Sequence, residues 1–179
     1  MEEKQAVDLF LRNRSEESFC ALFEALYPRV RRYFIVRSLD RMTAEELAQN
    51  VLLKVYNRSG ELRDRDLFNG WLFKVARNEL LAYWRRNFNA GQTIEYEPLE
   101  DDLSNELTTG SAGVQFDDWM TSLEPAEREL TRLRFIEELS YEELAVAFDV
   151  PMGTVKWRLF NVKKKLSQII SASMTASNS

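Results

Sequence analysis

Lys156, Trp157, Phe160, Asn161 and Lys164 are the residues whose types and spacing most directly suggest a chemistry. At 100° per residue they share one side of a helix, opposite a stripe of Val155, Leu159, Val162 and Leu166. The chemistry is recognition. Ammonium groups neutralise phosphates, an amide offers a base edge a donor and an acceptor together, and large rings cover apolar edges. A helix entering the major groove needs such a face. Catalysis has little to work with, because the chain has no histidine. That removes the commonest general base, the commonest metal ligand and every Ser-His or Cys-His pair. No GxxxxGK[ST] or GxGxxG run is present. The pairs Glu45-Glu46 and Glu142-Glu143 suit the dipole at a helix start better than acid–base work. No catalytic residue, metal or cofactor is expected.

The elements that must position this face are legible beside it. Ser140 followed by Glu143 is a capping box, and the helix it opens turns Leu144, Ala145 and Phe148 to a core. Asp149-Val150-Pro151-Met152-Gly153 stops that helix, and the second begins near Thr154. The pattern also fits an αα-hairpin whose lysines only keep the outer face wet. The short turn and the outward Trp157 and Phe160 favour a DNA-binding helix-turn-helix over about 140–166.

The chain of 179 residues is 45% hydrophobic and 30% charged, as for one ordinary domain or two small ones. No apolar run reaches a membrane span, and the opening MEEKQAVDLF is acidic, unlike a signal peptide, so a cytoplasmic location is expected. Cys20 is the only cysteine, and its apolar neighbours suggest a core thiol. The net charge of −5 is unusual for a DNA binder, but it is unevenly spread. Residues 1–92 hold sixteen bases and thirteen acids, 93–118 no base and eight acids, and 119–179 eight of each. The acidity therefore says little about either flank.

Helical patterns run from about Glu3 to Arg12, from Ser15 through Ile35 with Phe19, Leu22, Phe23 and Leu26 as apolar set, from Thr43 to Arg58, and from Asp66 to Arg86. Thr43 and Glu46 form a second candidate capping box. Further helices are expected around Phe116–Leu123 and from Pro125 to about Ile136. No stretch alternates like a strand, so the fold class is all-α. It comprises a domain over 1–90, an acidic flexible linker over 91–114, a domain over 115–170 and a disordered tail over 171–179.

Two more helices have divided surfaces. On the third, Ala44, Ala48, Val51, Leu52 and Val55 form a core stripe, while Glu46, Gln49, Asn50, Leu53 and Asn57 face away. Leu53 is either a scattered surface residue or the apolar anchor of a partner-binding face. On the fourth, Phe68, Trp71, Leu72 and Val75 point inward, and Lys74, Arg77, Asn78, Leu81 and Arg85 make another stripe. With the preceding loop Ser59–Arg65 it is either a solvated cationic face or a track for single-stranded nucleic acid.

The segments FEALYPRVRRYFI, TAEELAQNVLLKVY and LFNGWLFKVARNELLAYWRR, followed by LEPAERELTRLRFIEELSYEELAVAFDVPMGTVKWRLFNVKKKL, resemble the extracytoplasmic-function (ECF) sigma factors. These are two-domain promoter-specificity subunits of bacterial RNA polymerase in the sigma-70 family. The likeness covers nearly the whole chain apart from linker and termini. It implies that Glu46, Gln49, Asn50 and Leu53 dock on the core polymerase. Leu62 and Arg63 in the loop, with Lys74, Arg77 and Asn78, would capture flipped bases of the −10 element. Lys156, Trp157, Phe160, Asn161 and Lys164 would read the −35 duplex. The linker's carboxylates would mimic an RNA backbone, and an anti-sigma partner is implied.

This chain departs from the family at three of these positions. Asn50 stands where an acid is common, Trp157 where a small residue is usual, and Asn161 where arginine is frequent. Arginine pairs with guanine and asparagine suits adenine, so the −35 preference should differ from that of relatives. Two other readings use the same residues. A dimeric repressor would bind palindromic operators alone, and a helical adaptor would show no salt-dependent DNA binding.

Overall fold

The computed structural model describes residues 2–37, 39–89 and 119–177, with the side chains of 88, 89 and 173–177 excepted. The regular structure among them is helical. The chain divides into two units, Met1–Leu99 and Glu100–Ser179. The linker expected over 91–114 and the helix start near Phe116 lie outside the described residues.

The first unit packs four helices: α1 (Glu3–Asn13), α2 (Glu16–Ile35), α3 (Arg41–Arg58) and α4 (Phe68–Asn89). Ser15 caps α2, its Oγ accepting from the Ser18 N–H at 3.2 Å, and Glu16 and Glu17 sit at the positive end of the dipole. The stripe Leu22, Leu26, Val30, Tyr33 and Phe34 of α2 is buried. Helix α2 packs on α3, where Leu47, Val51 and Val55 are buried, and α3 packs on α4, where Leu72, Phe73 and Ala76 are buried. The Tyr33 and Phe73 rings lie 5.4 Å apart. Arg29 pairs with Glu3 and donates to Asn69 Oδ1 at 2.9 Å, joining α1, α2 and α4.

Several sequence expectations require correction. Helix α3 begins at Arg41, two residues before Thr43, because the Asp40 carboxylate accepts from the Thr43 N–H at 3.0 Å and caps the helix. Hydrogen bonds from Thr43 hold the Asp40 carboxyl below its usual pKa. Cys20 is exposed, not a core thiol. It lies 200° from Leu22 on the helix, so a helix that buries Leu22 turns Cys20 outward. For a related reason Phe19 and Phe23 are only partly buried: Ser18, Leu22 and Leu26 form the innermost line. Helix α4 is entered through a 3₁₀ turn, Arg65–Leu67, and starts at Phe68.

In the second unit a helical turn at 119–121 leads to α5 (Pro125–Phe135), α6 (Tyr141–Phe148) and α7 (Met152–Ser177). Arg128 donates to the carbonyls of Met120 (2.9 Å) and Leu123 (3.1 Å), pinning that turn to α5. Met120, Leu123 and Val162 are buried together, with Leu166 partly buried against them. The reciprocal capping box of Ser140 and Glu143 is present, at 3.1 and 2.8 Å. Leu144 and Ala147 are the fully buried residues of α6, while Ala145 and Phe148 are partly exposed. Asp149 ends the helix in the left-handed region (φ 55°), which aspartate tolerates better than most residues. Helix α7 runs on to Ser177, into the stretch expected to be a disordered tail.

Candidate functional site

The outward face of α7 is built on a buried line of Val155, Leu159 and Val162. Trp157 and Phe160 are each 65% exposed on the other side, with Lys156 and Lys164 exposed and Asn161 half-buried among them. Apolar rings so open to water are an uncommon surface feature and suit contact with a partner. Lys156 is not loose: its ammonium lies 5.7 Å from the Tyr141 ring centroid, and the Arg134 guanidinium 5.1 Å from the same centroid. The start of α6 thereby helps to place one cation of the α7 face.

A shallow groove runs along this face, lined on α7 by Trp157, Arg158, Asn161, Lys164, Lys165 and Gln168, with Glu127 of α5 beside them. Lys165 donates to Glu127 at 2.6 Å, and this bond holds the Glu127 carboxyl below its usual pKa. Arg158, Lys165 and Gln168 were missed from sequence. The signal for Gln168 was available, because 157, 161, 164 and 168 continue one helical stripe.

On α3, Glu46, Gln49 and Asn57 are exposed, Asn50 is half-buried and Leu53 is 51% exposed. The opposite side of the helix is fully buried, so Leu53 owes its outward position to α3's own core stripe. Tyr56, 41% exposed, lies one turn further along. Lys54 pairs with Glu79, a carboxylate only 6% exposed, and this links α3 to α4.

On α4, Asn78 and Arg85 are exposed, Leu81 is 44% exposed, and Lys74 and Arg77 are half-buried. The preceding loop carries Leu62, half-buried, and Arg63, exposed. Arg58 holds Glu61 through two hydrogen bonds of 2.9 and 2.8 Å, and the Asp64 carboxylate accepts from the Asp66 N–H at 3.0 Å. The unit thus presents one polar face on α3 and a cationic, amide-bearing face on α4. Among the described residues no cluster of three or more acids or cysteines could hold a metal ion. No described helix is long and apolar enough to cross a membrane.

Two family models match the two units in order. Sigma-70 region 2 matches residues 22–88, and Sigma-70, region 4 matches residues 114–166. The chain belongs to the sigma-70 family, in its ECF class. It is 29% identical over 148 residues to the RNA polymerase sigma-E factor of Streptomyces avermitilis, covering 79% of this chain and 82% of that one. It is 27% identical over 167 residues to the ECF RNA polymerase sigma factor RpoE of Cereibacter sphaeroides, covering 89% and 90%. The sigma factor RpoE of Bartonella quintana, solved in complex with the anti-sigma factor NepR, shares the fold, with a TM-score of 0.66 and 24% identity. That likeness covers 87% of this chain and 98% of the other. As a sigma factor, the protein directs RNA polymerase to promoters and acts with core polymerase and promoter DNA to initiate transcription. Sigma factors are non-catalytic specificity subunits.

Proposed function

We propose that the three outward faces divide the work of promoter recognition. Glu46, Gln49, Asn50 and Leu53 on α3 dock on the core polymerase, with Leu53 as the apolar anchor in a polar rim. Leu62 and Arg63 of the loop, with Lys74, Arg77 and Asn78 of α4, capture flipped −10 bases. Lys156, Trp157, Phe160, Asn161 and Lys164 of α7 read the −35 element as duplex. Flipping a base costs a few kcal/mol, offset by stacking and pocket contacts. Promoter opening then needs no chemistry, and the protein has no enzymatic activity of its own. It works in the cytoplasm beside the polymerase, and an anti-sigma partner, as NepR is for the Bartonella protein, regulates it.

One observation carries this reading: the first unit presents separate outward faces on α3 and α4 while their inner sides share a core. Two partners can therefore be held at once without disturbing the packing. The test is Asn78→Ala in holoenzyme, on a promoter recovered by sequencing transcripts started from genomic DNA. Asn78 is exposed, so the fold and core binding should be kept while permanganate reactivity of the −10 thymines falls. Unchanged reactivity would refute the assignment of α4.

A further inference from the structure

Helix α1 precedes the segment matched to region 2 and carries none of the candidate site residues. Its C-terminal end nevertheless meets both ends of the loop between α3 and α4. At the entering end, Arg14 caps α1 in the left-handed region (φ 49°) and donates to the Ser59 carbonyl at 3.5 Å. Its other terminal nitrogen lies 3.4 Å from where a Cβ on Gly60 would stand. Buried Phe10 sets its ring 6.1 Å from that of Tyr56, in the last turn of α3. At the leaving end, Arg65 donates back to the Leu11 carbonyl at 3.3 Å. That carbonyl belongs to the last turn of α1, where helical acceptors lack partners and the dipole is negative, so a guanidinium is well placed there.

Between these tethers lie Leu62 and Arg63. The Arg58–Glu61 pair and the Asp64 turn fix the backbone on either side of them. We propose that α1 is a brace for this loop, and that Arg14 and Arg65 are positioning residues holding Leu62 and Arg63 ready for unpaired bases. The proposal rests on reading the loop as part of the −10 site. The physical gain is entropic: a loop ordered before DNA arrives does not lose that freedom on binding.

The test compares holoenzymes carrying wild-type chain, the double variant Arg14→Met/Arg65→Met, and the double variant Arg14→Lys/Arg65→Lys. Both arginines are exposed, so methionine, which keeps an unbranched apolar stem, should leave the core intact. Losing two hydrogen bonds should lower the opening equilibrium roughly five- to tenfold, with core affinity unchanged and partial recovery in the lysine variant. In the free chain, amide hydrogen exchange at Leu62 and Arg63 should speed up in the methionine variant. The salt dependence of promoter binding should keep its slope. A slope reduced by about one per arginine would mean direct phosphate contact, and would overturn the brace. Unchanged opening and unchanged exchange would overturn it too. Leu62→Ala and Arg63→Ala separate the two ideas. If they leave opening intact, the loop reading fails and the brace with it. If they impair opening while the methionine variant does not, only the brace fails.

Discussion

Replacing Trp157 with alanine tests the proposed −35 face most directly, because the side chain contributes little to the fold and much to the surface. The residue is 65% exposed, while Val155, Leu159 and Val162 hold α7 in place. The isolated chain should therefore melt within about 0.5 kcal/mol of wild type, as for other surface substitutions. A tryptophan side chain offers about 250 Å², so roughly 160 Å² is open to DNA. If docking covers half of that, about 80 Å² is lost, equivalent to about 2 kcal/mol or about thirtyfold in affinity. Wild type and variant lose the same rigid-body freedom on binding, so that larger cost cancels between them. The assay is competition between a promoter and the same promoter with a scrambled −35 element, measured with holoenzyme. Wild type should prefer the intact element, and the variant should lose most of that preference. An unchanged preference, with α7 still folded by circular dichroism, would refute the idea that this ring faces DNA.

Leu53→Asp should weaken assembly with core polymerase about tenfold or more, by putting a charge at the centre of the proposed docking face, and fluorescence titration would read it. The half-exposed position of Leu53 predicts no loss of folding. Glu127→Gln should change how the second unit responds to acid. Lys165 holds the Glu127 carboxyl below its usual pKa, so the pair's contribution is complete above that usual value and is lost as pH falls through the folded value. Wild type should therefore lose more thermal stability than Glu127→Gln on acidification below about pH 4, by about 2 °C for a single pair of this kind. Melting curves that stay parallel across that range would show the pair to be idle.

The parts of this fold that were legible in the sequence are those written locally. The Ser140–Glu143 box, the Asp149–Pro151 stop and the Val155, Leu159, Val162 stripe each depend on residues within two turns of one another. A local motif can also be overridden by a neighbour that caps better. Thr43 with Glu46 matched a capping box, yet Asp40 three residues earlier offered a carboxylate and won. Cys20 was misplaced because apolar neighbours in sequence are not neighbours on a helix. The tethers from Arg14 to Ser59 and from Arg65 to Leu11 could not have been read at all. They join side chains to backbone carbonyls across 45 and 54 positions, and a carbonyl has no residue identity to recognise.

Glu79 is the clearest case of a residue whose role only packing reveals, and it bears on how the first unit can serve two partners. It follows Asn78 directly in sequence, turned 100° inward from it, and its pairing cation Lys54 directly follows Leu53. The ion pair is therefore one residue from each proposed face. A carboxylate only 6% exposed has little access to water and depends on this pairing. Sliding α4 along α3 would separate this mostly buried carboxylate from its half-exposed cation, which is unfavourable because the carboxylate stays in its desolvated position. The two helices are thus held to one register by electrostatics as well as by their shared core. Whatever binds the α3 face then fixes where the α4 face stands, so polymerase docking and base capture can be set by a single placement of one rigid body.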